Sequence, residues 1–156
     1  AGKIFSLTGW KIGMITSAPE VLTPIAKAHQ YLTFTTPPNL QAAVAFGLRK
    51  DDAYFEELNG DMQARRDHLA GGLRDIGFEV IPCQGTYFLT TDFRPLGYKG
   101  VDIEFCKHLT VEAGVAAVPI SAFYTSGEEG YFARFSFCKN ADTIDEALRR
   151  LKTHFS

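Results

Sequence analysis

At 156 residues the chain is the size of one compact domain or of a large piece of a bigger protein. Its 46% hydrophobic and 22% charged content is that of a globular protein and excludes a disordered one. A net charge of -2 argues against nucleic acid or an anionic membrane as the main partner, because both need a basic excess. No window approaches the roughly 18 consecutive apolar residues of a membrane span.

The start, Ala1-Gly2-Lys3, carries no signal peptide and no initiator Met, so the numbering is expected to begin inside a longer protein. The cysteines, Cys83, Cys106 and Cys138, are odd in number and far apart. They suit buried free thiols in a reducing, cytoplasmic setting better than a disulfide framework or a zinc site.

Along the chain, Trp10 to Thr16 is apolar and β-rich and predicts a buried strand. Ser17-Ala18-Pro19 opens a helix ending near Tyr31, with Val21, Leu22, Ile25 and Ala28 facing inward. A second helix follows Pro38 and runs to about Arg49 on Leu40, Val44 and Leu48. A third covers Tyr54 to Ile76, with Met62, Leu69, Leu73 and Ile76 as its stripe and Gly77 as its stop.

The pattern then changes. Phe78–Ile81, Thr86–Thr91, Val115–Ile120 and Phe132–Cys138 read as strands. Asp102–Ala113 reads as a helix with Ile103, Cys106, Leu109 and Ala113 on one face. A last helix begins at Asp142, with Asp145 as a capping-box partner, and buries Ile144, Leu148, Leu151 and Phe155. One strand cannot make a sheet, so residues 1–50 are expected to complete a structure whose other strands lie elsewhere.

Few side chains stand out chemically. The four histidines have no ligand-like spacing, so no metal site is expected. Asp51-Asp52 and Glu128-Glu129 sit in polar sequence and read as solvated loops. Lys3 follows two tiny residues and is flanked by aromatics. Desolvation there would lower its pKa and free an amine suited to Schiff-base chemistry, and Lys11 could hold a phosphate nearby. The alternative is a pair of surface lysines around a turn. In Phe132–Phe137, alternation puts Ala133, Phe135 and Phe137 on one face and Arg134 with Ser136 on the other. An arginine on a strand among aromatics is a good bidentate carboxylate clamp. The alternative is an edge-strand arginine paired with a local acid.

The run Ala1-Gly2-Lys3-Ile4-Phe5-Ser6-Leu7-Thr8-Gly9-Trp10-Lys11-Ile12-Gly13 resembles the lysine signature of the fold-type I pyridoxal-phosphate aminotransferases of class I/II. It is most similar to the branch of kynurenine/glutamine transaminases and bacterial methionine aminotransferases. His29–Phe34 before Pro37, Pro82–Phe88, and Arg134–Lys139 resemble further stretches of that family, in family order.

The resemblance implies an α/β fold, in which the tail of a large cofactor domain (strand plus helices, residues 1–50) precedes an interdomain helix (51–77) and an α+β small C-terminal domain (78–156). It implies that Lys3 forms the Schiff base with pyridoxal 5'-phosphate and shuttles the substrate proton. Lys11 would bind the cofactor phosphate, and Arg134 would grip the α-carboxylate. Phe34 would reach into the partner subunit's site of a homodimer, and Tyr87 and Phe123 are weaker pocket-lining candidates.

The parent would move an amino group from an amino acid, aromatic or sulfur-containing, to a 2-oxo acid. A β-lyase on the same scaffold, an aminotransferase-like ligand-sensing regulator, or a non-catalytic fragment are the alternatives. The family's other cofactor-contacting groups lie N-terminal to the lysine. The isolated chain is therefore expected to be inactive without its missing N-terminal half, with residues 1–50 flexible, swapped or aggregating.

Overall fold

The computed structural model describes residues 1–125 and 130–156. The pair Glu128-Glu129 lies outside the described residues. The chain forms two compact units, Ala1–Phe55 and Glu56–Ser156. No helix among the described residues is long and apolar enough to cross a membrane.

The first unit opens with a tight turn. Leu7 N–H donates to Gly2 O at 2.8 Å, Trp10 N–H to Leu7 O at 2.9 Å, and the Ala1 amine to Ile12 O at 3.3 Å. A 3₁₀ turn, Thr8–Trp10, sits inside it. The expected strand over residues 10–16 is not formed, and residues 11–18 carry no regular structure. A strand is a ladder with a neighbour, and these residues pair with none among the described residues.

Helix α1 runs Pro19–Leu32, with Pro19 at its N-terminus where a missing N–H costs nothing. None of its residues is buried, and the expected inward residues Val21 and Ile25 are exposed. The apolar stripe exists but remains uncovered. Helix α2 runs Pro38–Gly47 and buries Val44, while Leu48 lies exposed just beyond it. Gly47 is required by close approach: a Cβ there would lie 2.9 Å from the Phe5 ring. Phe5 packs on Tyr54 and Phe55, both at 6.4 Å between ring centroids.

Helix α3 spans Asp52–Ile76 and contributes Leu69, Ala70 and Leu73 to the core of the second unit. The sheet there is antiparallel, in the order β1 (Glu79–Val80), β2 (Phe88–Asp92), β4 (Phe132–Ser136), β3 (Val118–Pro119). Its centre is the β2–β4 pair, in which Thr90 faces Arg134 and Phe88 faces Ser136. Arg134 is therefore on an interior strand, not an edge one, and Val118 of β3 faces it from the other side. Alternation sends Leu89, Thr91, Ala133 and Phe135 into the core.

Helix α4, Asp102–His108, gives way to a wider π-type segment, Leu109–Ala113, closed by Gly114 in the left-handed region at φ 66°. Its buried face is Asp102, Phe105, Cys106, Leu109 and Ala113. The expected Ile103 is 44% exposed, because the core lies one helical step round at Phe105. Phe105 stacks on Phe93 at 4.0 Å.

Helix α5, Ala141–Phe155, buries Ile144 and Leu151. The expected capping box does not form, and Asn140 at the N-cap makes no side-chain capping bond. Asp145 instead meets His68 Nε2 of α3 at 2.6 Å, a cross-helix contact that outcompetes the local one.

Candidate active site

Two groups of residues carry chemistry, one in each unit. In the first unit, Lys3 and Lys11 sit on the same turn, which is closed by the Ala1–Ile12 and Gly2–Leu7 hydrogen bonds. Lys3 is exposed, not desolvated as the sequence suggested. Ala1 and Gly2 offer no more than one methyl group to lay over it, and Phe5 packs instead on Tyr54 and Phe55. Lys11 has φ 56° and caps the Thr8–Trp10 turn in the left-handed region. A lysine held there is an outlier of the kind that clusters at functional sites.

Phe34 shares this peculiarity, with φ 64°, and stands 82% exposed beside the exposed Tyr31 and Leu32. A run of bare apolar side chains at a helix end is a surface prepared for contact.

The second unit holds Arg134. Arg134 lies on the non-core face of β4. Its guanidinium carbon is 4.0 Å from the centroid of the Phe88 ring and 4.5 Å from that of Phe123. Phe88 gets there through register: it faces Ser136, the next residue on the same face, so its ring is diagonal to Arg134. Phe123 arrives from the 3₁₀ turn Ser121–Phe123.

The Arg134 Nε is buried and has no hydrogen-bond partner among the described residues. No ion pair to Arg134 forms among them either, so the local-acid alternative finds no support there. A buried, unpaired charged N–H is costly unless a ligand completes it. A guanidinium beside two rings is chemically suited to take a planar carboxylate two-handed. Tyr87 packs against the core and against Phe88, with the ring centroids 4.2 Å apart.

Sequence reasoning had not singled out Phe88. Its signal was present in the β2 alternation, but only the pairing register of two strands far apart in sequence brings it to Arg134. Asp102 and Ser121 were also passed over, although Asp102 is fully buried and accepts from Ser121 N–H at 2.7 Å and Ser121 Oγ–H at 2.6 Å.

The chain matches the aminotransferase class I and II family over residues 1–151. The solved structure of N-succinyldiaminopimelate aminotransferase from Mycobacterium tuberculosis is similar to it with a TM-score of 0.89 at 45% identity, covering 97% of this chain and 40% of that one. The methionine aminotransferase of Escherichia coli is 36% identical over 97% of this chain and 39% of its own length. The human kynurenine–oxoglutarate transaminase 1 is 33% identical over 97% and 42% respectively. The chain thus spans about two fifths of the length of these relatives. Its helices and small antiparallel sheet are those of the C-terminal portion of their fold.

Proposed function

The chain belongs to the class I and II aminotransferase family, and from that membership we propose that it is the C-terminal part of a pyridoxal-phosphate enzyme that moves an amino group from an amino acid to a 2-oxo acid. The observation that carries the proposal is Arg134. Its position on an interior strand, its two aromatic neighbours and its buried Nε, unpaired among the described residues, support a receptor for a carboxylate.

The residues present fit pyridoxal phosphate by the chemistry of their donor set. Lys3 supplies a primary amine, and Lys11 supplies a second cation on the same turn, suited to a phosphate. When bound, the cofactor supplies a reactive aldehyde carbon and an electron sink for the Cα carbanion. Lys3 would hold the cofactor through its Nζ, and the same amine would serve as the base for the proton on the substrate Cα. Arg134 would fix the α-carboxylate and so limit the orientations open to the substrate. Phe88 and Phe123 keep water from the guanidinium and strengthen its hold.

In this reading residues 1–50 end the cofactor domain, 51–77 link the domains, and 78–156 form the small domain. The exposed Tyr31, Leu32 and Phe34 support a homodimer in which Phe34 lines the partner subunit's site. The free cysteines support a cytoplasmic setting. Aromatic and sulfur-containing amino acids are the favoured donors, in line with the methionine and kynurenine relatives. The 45% identity to the mycobacterial structure supports a second candidate, an acylated diamino diacid.

The test is a coupled assay on the full-length protein. Amino-acid donors should yield the matching 2-oxo acid only when a 2-oxo acid acceptor is present, and Lys3→Ala should abolish the reaction. Acceptor-independent release of pyruvate and ammonia would favour a β-lyase, and a Lys3→Ala variant with native turnover would reject the assignment.

A further inference from the structure

We infer that Asp102 is a positioning residue for the carboxylate clamp: through Ser121 it fixes the turn that seats Phe123 against Arg134. The inference rests on the reading of Arg134 given above.

Asp102 is fully buried, and no cation is among its partners in the described residues. A buried carboxylate is tolerated only when its oxygens are used. Both are used on one residue: Oδ2 accepts from the Ser121 backbone N–H at 2.7 Å and Oδ1 from the Ser121 hydroxyl at 2.6 Å. The fit around the carboxylate is tight. Asp102 N–H donates to Gly130 O at 2.8 Å, and a Cβ on Gly130 would lie 2.4 Å from Oδ2, so only glycine is admitted there.

Ser121 is the first residue of a three-residue 3₁₀ turn, and Phe123 is its last. The turn is closed by Phe123 N–H to Ile120 O and Tyr124 N–H to Ser121 O, each at 3.0 Å, and Ile120 N–H is tied to Phe132 O of β4 at 3.2 Å. The start of the turn is therefore fixed twice over, by β4 at Ile120 and by Asp102 at Ser121, and the two turn bonds carry that placement on to Phe123. Phe123 itself is 59% exposed, so packing alone does not hold it. Its ring nevertheless lies 4.5 Å from the Arg134 guanidinium carbon. The two hydrogen bonds from Ser121 to the one carboxylate account for how an exposed ring keeps a fixed place. Loosening them would let water reach the guanidinium and weaken its preference for a carboxylate.

The test uses the full-length protein and four variants, Asp102→Asn, Ser121→Ala, Phe123→Leu and Arg134→Ala. Readouts are thermal stability and the inhibition constants of 3-phenylpropionate and of 3-phenylpropanol, which lacks the carboxylate. Asp102→Asn and Phe123→Leu should each weaken 3-phenylpropionate about tenfold, the scale of one charge-assisted contact, and leave 3-phenylpropanol unchanged. Ser121→Ala, which keeps the backbone donor, should show a smaller loss of the same kind and folds even if Asp102→Asn does not. A purely structural Asp102 would lower the melting temperature and shift both ligands together, which would overturn the inference while leaving Arg134→Ala selective. An Arg134→Ala variant that treats the two ligands alike would overturn the clamp itself, and the inference with it.

Discussion

Replacing Arg134 by Ala separates a ligand clamp from a structural arginine, because the structure gives the two roles different magnitudes. On the stability side, the variant loses two guanidinium–ring contacts, at 4.0 and 4.5 Å, each worth about 0.5–1 kcal/mol at a partly exposed site. It also removes a buried Nε that has no partner among the described residues, relieving a desolvation cost of about 1–3 kcal/mol. The two nearly cancel, so unfolding free energy should change by no more than about 1 kcal/mol. Arg134 faces away from Ala133 and Phe135, and the core should not collapse. On the binding side, truncating one partner of a buried charged pair costs about 2–5 kcal/mol, or about 30- to 4,000-fold. The assay is kcat/KM for an amino-acid donor in the full-length protein, beside a denaturant melt. A loss in that range with an unchanged melt is expected. A melt lowered by several kcal/mol with kcat/KM intact would refute the clamp.

Three further outcomes are expected. Lys11→Ala should weaken pyridoxal-phosphate retention on dilution by about 10- to 150-fold, the value of a charged hydrogen bond, with donor selectivity unchanged. In Asp92, the hydrogen bond from Arg94 holds the carboxyl below its ordinary value of 3.8. A depressed carboxylate stabilises the fold above its unfolded pKa and loses that contribution as pH falls through the native one; thermal melts of wild type and Asp92→Asn should therefore differ at neutral pH and converge below pH 3.8. Burial, with the neighbouring Asp102 charge, pushes the Cys106 thiol up to about 12, so iodoacetamide at neutral pH should label the exposed Cys138 and reach Cys106 only in denaturant, as peptide mass mapping would register.

What could be read from the sequence was what has a short period. The alternation of Phe132–Phe137 placed Arg134 opposite the core, and the helices over 19–32, 38–47, 52–76 and 141–155 lie close to their expected limits. What could not be read depended on partners distant in the chain. The Trp10–Thr16 pattern promised a strand, but a strand forms only with a neighbour to pair with. Phe88 reaches Arg134 by strand register, and Phe123 by a turn fixed from Asp102, nineteen residues away. The Asp145 cap was displaced by His68. On α4, Cys106, Leu109 and Ala113 are buried as the spacing predicts, and Phe105 rather than Ile103 completes that face. The turn around Lys3 has the right residues for an amine site, yet small neighbours leave that amine exposed.

The central claim is that Lys3 is the amine that holds the cofactor. The most direct measurement is borohydride reduction of the full-length protein with pyridoxal phosphate, followed by protease digestion and mass spectrometry of the peptides. A single phosphopyridoxyl adduct on Lys3 is expected, lost when a donor amino acid is added before the borohydride. An adduct spread over surface lysines, or seated on another single lysine, would contradict it.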